Sequence, residues 1–248
     1  MLTHPTLDQL NQLGLTAMAQ ALKAQGDDPA TRELGFEERL GLLLQSEAAY
    51  RETKRYQARL RHAKLRVRAD LEDIDYQTPR GLDRALMAKL AAGQWIGESL
   101  NLLITGPAGV GKTWIACALA HRACKDGLAV LYARAPRLLE DLALARADGR
   151  YPRLIKSIAR AKLLILDDWG LTPLSGEQRR DLLEIIDDRC SNSATIIASQ
   201  IPVAKWHGLI GDPTIADAIL DRLIHAAYRI ELKGASLRKK AARKKLEA

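Results

Sequence analysis

The stretch NLLITGPAGVGKT, residues 101–113, decides the fold. Its first five residues are an apolar run that reads as a strand buried on both faces. A glycine-rich loop follows at once, and the residues from Lys112 to Asp126 have a helical texture. Strand, loop and helix in that order make a phosphate site. Gly106, Gly109 and Gly111 let backbone N–H groups turn inward around an anion, and Pro107, Ala108 and Val110 complete the loop. The helix opening at Lys112 aims its positive end at the same place. Lys112 adds a charge for the β- and γ-phosphates of a nucleotide, and the Thr113 hydroxyl is a ligand for Mg²⁺.

A second stretch, LLILDDWG at residues 163–170, makes the complement. Two adjacent carboxylates at the end of a buried strand repel each other and cost desolvation energy, so they need a reason to be there. In parallel sheets ligands sit at the carboxyl ends of the strands, which would bring Asp167 and Asp168 to the phosphate loop. Asp167 would hold Mg²⁺, and Asp168 would polarise the water that attacks the γ-phosphate. The alternative for Asp168 is a cap of the next turn. One β–α unit separates loop from carboxylates. That order resembles the ASCE division of P-loop NTPases, which implies ATP and Mg²⁺ as ligands. The guanine-selecting NKxD pattern is absent. LSGEQRR at 174–180 looks like an ABC-transporter signature but follows the metal aspartate instead of preceding it. Ser175 reads there as a helix N-cap with Gln178 as capping-box partner.

Around these motifs strands alternate with helices. Strand candidates are residues 101–105, 129–133, 162–167, 194–199 and 228–232, and helices include 112–126 and 176–190. The expected fold is α/β, a parallel sheet with helices on both faces, preceded by a small all-α segment. In that segment residues 7–25 and 36–65 carry helical periodicity, and GDDPAT at 26–31 is a break that caps the second helix. The organisation expected is 1–70 helical, 71–98 a linker that also binds the nucleotide base, 99–235 the ATPase core, and 236–248 a basic tail. Of the 248 residues 47% are hydrophobic and only 4% aromatic, so the core is aliphatic. Cys117, Cys124 and Cys190 form no CxxC pair, which argues against a zinc cluster or disulfide framework. Cys117 and Cys124 share a helix face and read as core residues. No signal peptide or membrane-length apolar run is evident, so a cytoplasmic protein without membrane contact is expected.

Two further residues point outside these motifs. Gln200 follows the strand ATIIAS and would orient the attacking water if that strand lies between the two site strands. Arg222 precedes the last strand, where it resembles the finger of AAA+ ATPases that contacts ATP in a neighbouring subunit. The alternative is a salt bridge to Asp221 or Asp217. LLILDDWG, PLSGEQRRDLLEIIDDR, SQIPVAKWHGLIGDPTIADAILDRLIH and LKGASLRK together resemble IstB-type proteins, ATP-binding helpers of insertion-sequence transposases, over residues 5–240. Such proteins are similar to the helicase loader DnaC and the initiator DnaA. The resemblance implies an AAA+ core, a small helical N-terminal domain, ATP-dependent assembly on DNA and stimulation of a partner transposase. The expected function is thus ATP hydrolysis coupled to assembly on duplex DNA, and an Arg222 finger would make the active protein a homo-oligomer with ATP sites at subunit interfaces. The stretch after the last strand candidate is too short for the C-terminal helical lid of general AAA+ proteins, so no lid is expected, and Arg238 is the local candidate for the arginine a lid supplies. The alternatives are a DnaC-like helicase loader and a scaffold that binds ATP without hydrolysing it.

The net charge is +8 and the basic residues cluster. Arg51, Lys54, Arg55, Arg59, Arg61, Lys64, Arg66 and Arg68 fall in a nineteen-residue stretch, 50–68, with one acid. Arg51, Arg55 and Arg59 recur every four residues, a helical stripe suited to DNA phosphates without base reading. The tail adds Arg238, Lys239, Lys240, Arg243, Lys244 and Lys245.

Overall fold

The computed structural model describes residues 5–225 and 227–239. Of the basic tail, Arg238 and Lys239 are therefore described, and Lys240, Arg243, Lys244 and Lys245 lie outside the described residues. The chain divides into two compact units, residues 1–58 and 59–248.

The first unit is helical: α1 (Pro5–Gln12), α2 (Thr16–Asp27), α3 (Pro29–Arg32) and most of α4 (Phe36–Ala63). The expected single helix over residues 7–25 is broken at Gly14, which adopts φ +72°. The Leu15 N–H bonds back to the Leu10 carbonyl at 2.8 Å, a glycine-based C-terminal cap. The GDDPAT break does not cap α4. Asp28 instead caps the short α3, accepting from the Ala30 N–H. The α2 N-terminus has no side-chain cap of its own. Buried Glu47 supplies one from α4, accepting from the Ala17 and Met18 N–H groups at 3.0 and 3.1 Å. Arg51 pairs with Glu47 at 2.8 Å and, with those bonds, holds its carboxyl below the usual range. The division between the units falls inside α4, between Ala58 and Arg59, although the composition changes only near residue 70.

The second unit carries a five-stranded parallel sheet in the order β2–β3–β4–β1–β5. The strands are β1 (Asn101–Thr105), β2 (Val130–Arg134), β3 (Leu163–Trp169), β4 (Ala194–Ser199) and β5 (Ala227–Glu231). Ahead of β1 come α5 (Arg84–Ala91) and α6 (Gln94–Gly97), so the expected linker is partly helical. Helix α7 (Lys112–Lys125) follows β1, α8 (Ala135–Ala147) and α9 (Tyr151–Arg160) follow β2, and α10 (Gly176–Arg189) follows β3. Helices α11 (Trp206–Ile210) and α12 (Pro213–Ile224) lead into β5. Leu163 to Leu166 are all fully buried, as an apolar run in a sheet covered on both faces requires. Cys117 and Cys124 are buried on α7 among alanines, whose small side chains let helix and sheet approach closely. The Ser175–Gln178 capping box opens α10 as expected. Buried Arg189 at its other end donates to the carbonyls of Ile158, Ala161 and Ala194 and to Thr195 Oγ1, tying α9 to β4. Burial pulls its pKa down to about 10.

Candidate nucleotide site

The sheet order decides what meets what. β4 lies between β1 and β3, and all three deliver their carboxyl ends to one edge. The phosphate loop leaves that edge, with the Gly106 N–H donating to the Ser199 carbonyl at 3.2 Å. Gly109 and Gly111 have φ of +82° and +104°. A side chain at Gly109 would collide with Ser236, and a Cβ at Gly111 would sit 2.5 Å from Arg80 Nη1. The positive φ values favour glycine at both positions, and a side chain at Gly109 would in addition force Ser236 to shift.

Lys112 is buried, and its Nζ donates to the Gly106 and Pro107 carbonyls at 2.7 and 2.8 Å. Among the described residues no carboxylate lies within ion-pair distance of it. Burial pushes its pKa down, against the pull of Asp167 and Asp168. A buried ammonium without a carboxylate partner, at the N-terminus of a fourteen-residue helix, leaves net positive charge for an anion to complete.

Thr113 Oγ1 donates to Asp167 Oδ2 at 2.8 Å, so the loop and the carboxylate strand meet at the two groups assigned to a metal. Their hard oxygen donors suit Mg²⁺. Asp167 also accepts from the Tyr132 hydroxyl at 2.7 Å and, through Oδ1, from the Asp168 N–H at 2.9 Å. Asp168 has φ +58°, and the β3–β4 register is irregular between Leu166 and Trp169. Such a bulge re-aims a side chain that the strand pleat would send to the opposite face. Asp168 does not act as a turn cap. Arg134 Nε holds its Oδ2 at 2.7 Å, and Arg66 Nη1 lies 3.6 Å from both aspartates. Gln200, directly after β4, is exposed and lines a hollow with Gly106 and Pro107, between the two site strands.

A cavity of about 450 Å³ adjoins the loop, lined by Asp73, Asp75, Arg80, Trp114 and Arg238 as well as Lys112 and Thr113. Part of the segment 71–98 thus forms its wall. Arg80 joins the walls, donating to the carbonyls of Val110 and Asp75 at 3.0 Å each. The Leu237 N–H bonds to the Gly109 carbonyl at 2.9 Å, which brings Arg238 to the same cavity.

Arg222 lies elsewhere. Asn101, the first residue of β1, donates to the Arg222 carbonyl, so the arginine is at the amino edge of the sheet. Five residues of strand put it ~13 Å from the phosphate loop at the standard rise. Its Nε pairs with Asp187 at 2.7 Å, not with Asp221 or Asp217.

The basic stripe is only partly a stripe. α4 ends at Ala63, so Lys64, Arg66 and Arg68 are off the helix. Arg51 is engaged by Glu47, and Arg59 Nε donates to the Cys124 carbonyl at 2.9 Å in the last turn of α7, a C-terminal cap. Lys54, Arg55 and Arg61 remain exposed on α4, with Lys54 Nζ 5.8 Å from the centre of the Tyr50 ring. Reading the sequence for charge runs missed α9, where exposed Arg153, Lys156 and Arg160 recur at three- and four-residue spacing opposite buried Ile158. The signal is the three- and four-residue spacing of the cations in YPRLIKSIAR. Tyr132 and Arg134 were missed too, and their signal was the two-residue alternation of β2 beside β3.

Sheet order, phosphate loop and carboxylate pair together define a P-loop nucleotide-binding fold. The family model described as IstB-like ATP binding protein matches residues 8–245, and the chain belongs to that family. A Sinorhizobium fredii protein that carries the name of an insertion sequence ATP-binding protein is 56% identical over 98% of this chain and all of its own length. A Pseudomonas aeruginosa protein, named for the insertion sequence IS21 and ATP binding, is 32% identical over 95% of this chain and 89% of its own. The crystal structure of the DnaC helicase loader superposes with a TM-score of 0.55 at 22% identity, covering 66% of this chain and 97% of that one. AMPPCP-bound DnaA from Aquifex aeolicus gives 0.56 at 20%, covering 74% and 56%. Among the described residues no helix is long and apolar enough to cross a membrane.

Proposed function

We propose that this protein is an ATPase of insertion-sequence transposition, which oligomerises on duplex DNA and assists a partner transposase. The observation that carries the reading is the 2.8 Å bond from Thr113 to Asp167, which joins phosphate loop and carboxylates into one site in a chain of the IstB-like family. Lys112 and the loop N–H groups hold the β- and γ-phosphates. Thr113 and Asp167 hold Mg²⁺, which supplies positive charge to the phosphate oxygens. Asp168 takes the proton of the attacking water, and Gln200 orients that water. Arg238 contacts the nucleotide from the cavity wall. Arg222 is too far from its own loop and serves the ATP of an adjacent subunit. DNA phosphates are met by Arg55 and Arg61 on α4 and by Arg153, Lys156 and Arg160 on α9, all without base reading.

The test uses three variants. Lys112→Ala loses ATP binding. Asp168→Asn keeps binding and loses turnover by about 10²–10⁴-fold. Arg222→Ala also binds ATP and is inactive. Mixing Asp168→Asn with Arg222→Ala on duplex DNA restores phosphate release at junctions where both residues are intact. No recovery in mixtures shown to co-assemble rejects the shared site, and turnover by Asp168→Asn alone rejects its assignment.

A further inference from the structure

The connector that leaves α4 is strapped along the phosphate-loop helix. Asp70 Oδ1 lies 2.8 Å from His121 Nδ1 and 3.0 Å from Lys125 Nζ. The backbone N–H groups of Arg66 and Val67 face the buried Cys117 thiol. Cys117, His121 and Lys125 are four residues apart, so a single face of α7 holds the connector. This path brings Arg66 to the two aspartates without a turn of helix or sheet of its own.

The contested atom is Asp167 Oδ2. It accepts from Thr113 and from Tyr132, and Arg66 Nη1 stands 3.6 Å away. That distance exceeds a hydrogen bond; the guanidinium is held there by a hydrogen bond with the Tyr132 side chain, with Coulomb attraction to the two aspartates added. The Arg66 side chain is 39% exposed, which makes the hold weak and reversible. The same guanidinium lies 3.6 Å from Asp168 Oδ2. A divalent cation on Thr113 and Asp167 would share that carboxylate with a like charge. Arg134, by contrast, bonds Asp168 alone and does not compete for Asp167.

We infer that Arg66 competes with Mg²⁺ for the Asp167 carboxylate, sets the metal affinity of the nucleotide site, and is displaced when the metal–nucleotide complex binds. The inference rests on the reading that Thr113 and Asp167 hold the metal of ATP. Displacement loosens the connector 64–70, which is covalently continuous with α4. Nucleotide loading is thus signalled toward the α-helical segment by release of the Arg66 guanidinium from both aspartates.

The experiment measures binding of a fluorescent ADP by anisotropy across a Mg²⁺ series, with no turnover involved. Arg66→Gln is expected to lower the Mg²⁺ midpoint by about three- to tenfold, the effect of removing one partly exposed like charge. Its affinity for the nucleotide in excess EDTA stays within about twofold of the wild type. Arg66→Lys keeps the charge and stays near the wild-type midpoint. In the wild type, hydrogen exchange over residues 64–70 speeds up on adding Mg²⁺ with nucleotide and not on adding nucleotide alone. An unchanged midpoint in Arg66→Gln overturns the inference, and so does a raised one, which would make Arg66 a ligand of the nucleotide. If the wild type binds nucleotide but gains nothing from Mg²⁺, the underlying metal assignment fails and takes this inference with it.

Discussion

The cations of α9 give the proposed DNA interface its sharpest test. Arg153, Lys156 and Arg160 are exposed, share one face, and make no side-chain ion pair among the described residues. Each phosphate contact contributes about 0.9 to the slope of log K against log salt. Replacing all three by Gln therefore lowers that slope by up to about 2.7. Between 50 and 200 mM salt, a fourfold change, the three contacts together account for about a fortyfold change in affinity. Gln keeps the helix propensity close to that of Lys and Arg, and Arg189 still holds the α9 carbonyls, so the fold is retained. The assay is fluorescence anisotropy on labelled duplexes of unrelated sequence, with ATP binding checked in parallel. The loss should be equal for every sequence, since no base is read. A triple variant that binds ATP normally and keeps the wild-type salt slope refutes the α9 interface, leaving the exposed cations of α4 and the tail. Arg59 should not be grouped with those, because its substitution uncaps α7.

Two further outcomes concern stability. Arg189→Ala leaves the buried carbonyls of Ile158, Ala161 and Ala194 without their donor and should cost about 3 kcal/mol or more in urea unfolding; a loss under about 1 kcal/mol would contradict its role as a tie between α9 and β4. The hydrogen bond from Lys125, aided by His121, holds the Asp70 carboxyl below its ordinary value, so its stabilising effect is complete above about pH 4 and fades as pH falls through the lower folded-state value. Asp70→Asn should accordingly be less stable than wild type at pH 6 and equal to it near pH 2, and a gap that persists in acid would rule out the ion pair as its source.

The strands were legible because each is bounded by a change of texture. NLLIT and ATIIAS match β1 and β4 to the residue, since both are buried on both faces and end at turn residues. β3 runs on to Trp169, past the expected Asp167, because a bulge keeps the ladder going through the carboxylates. The phosphate loop, Thr113 and Asp167 were readable because their chemistry fixes residue type and order. What surrounds them was not. Arg59 caps α7 through a backbone carbonyl, and any residue at 124 offers one. Arg66 meets carboxylates a hundred residues away, through a connector whose path depends on Cys117, His121 and Asp70. A charge run states how many cations are near each other in sequence, and says nothing of which are already engaged. Gly14 was readable as a break, since glycine after a helical run commonly takes the left-handed cap.

The placement of Arg222 ties the proposed chemistry to assembly. The carboxyl edge of the sheet gathers Lys112, Thr113, Asp167, Asp168 and Gln200, every group that a single subunit supplies to the reaction in this reading. A parallel sheet has two edges a strand length apart, and Arg222 stands at the other one, held by Asp187. No rotamer of an arginine spans ~13 Å to its own loop. An arginine acting on phosphate from that edge therefore needs a second copy whose amino edge faces this cavity. Repeating such a contact relates unlike surfaces, which is the heterologous arrangement that yields rings or filaments instead of closed twofold dimers. A filament would place its cations at a regular spacing along DNA, so that the weak contacts proposed for Arg55, Arg61 and α9 would add over many subunits. In the proposed function, sequence-independent binding would become strong only when ATP closes the junctions, so that assembly on DNA would depend on the nucleotide without any base being read.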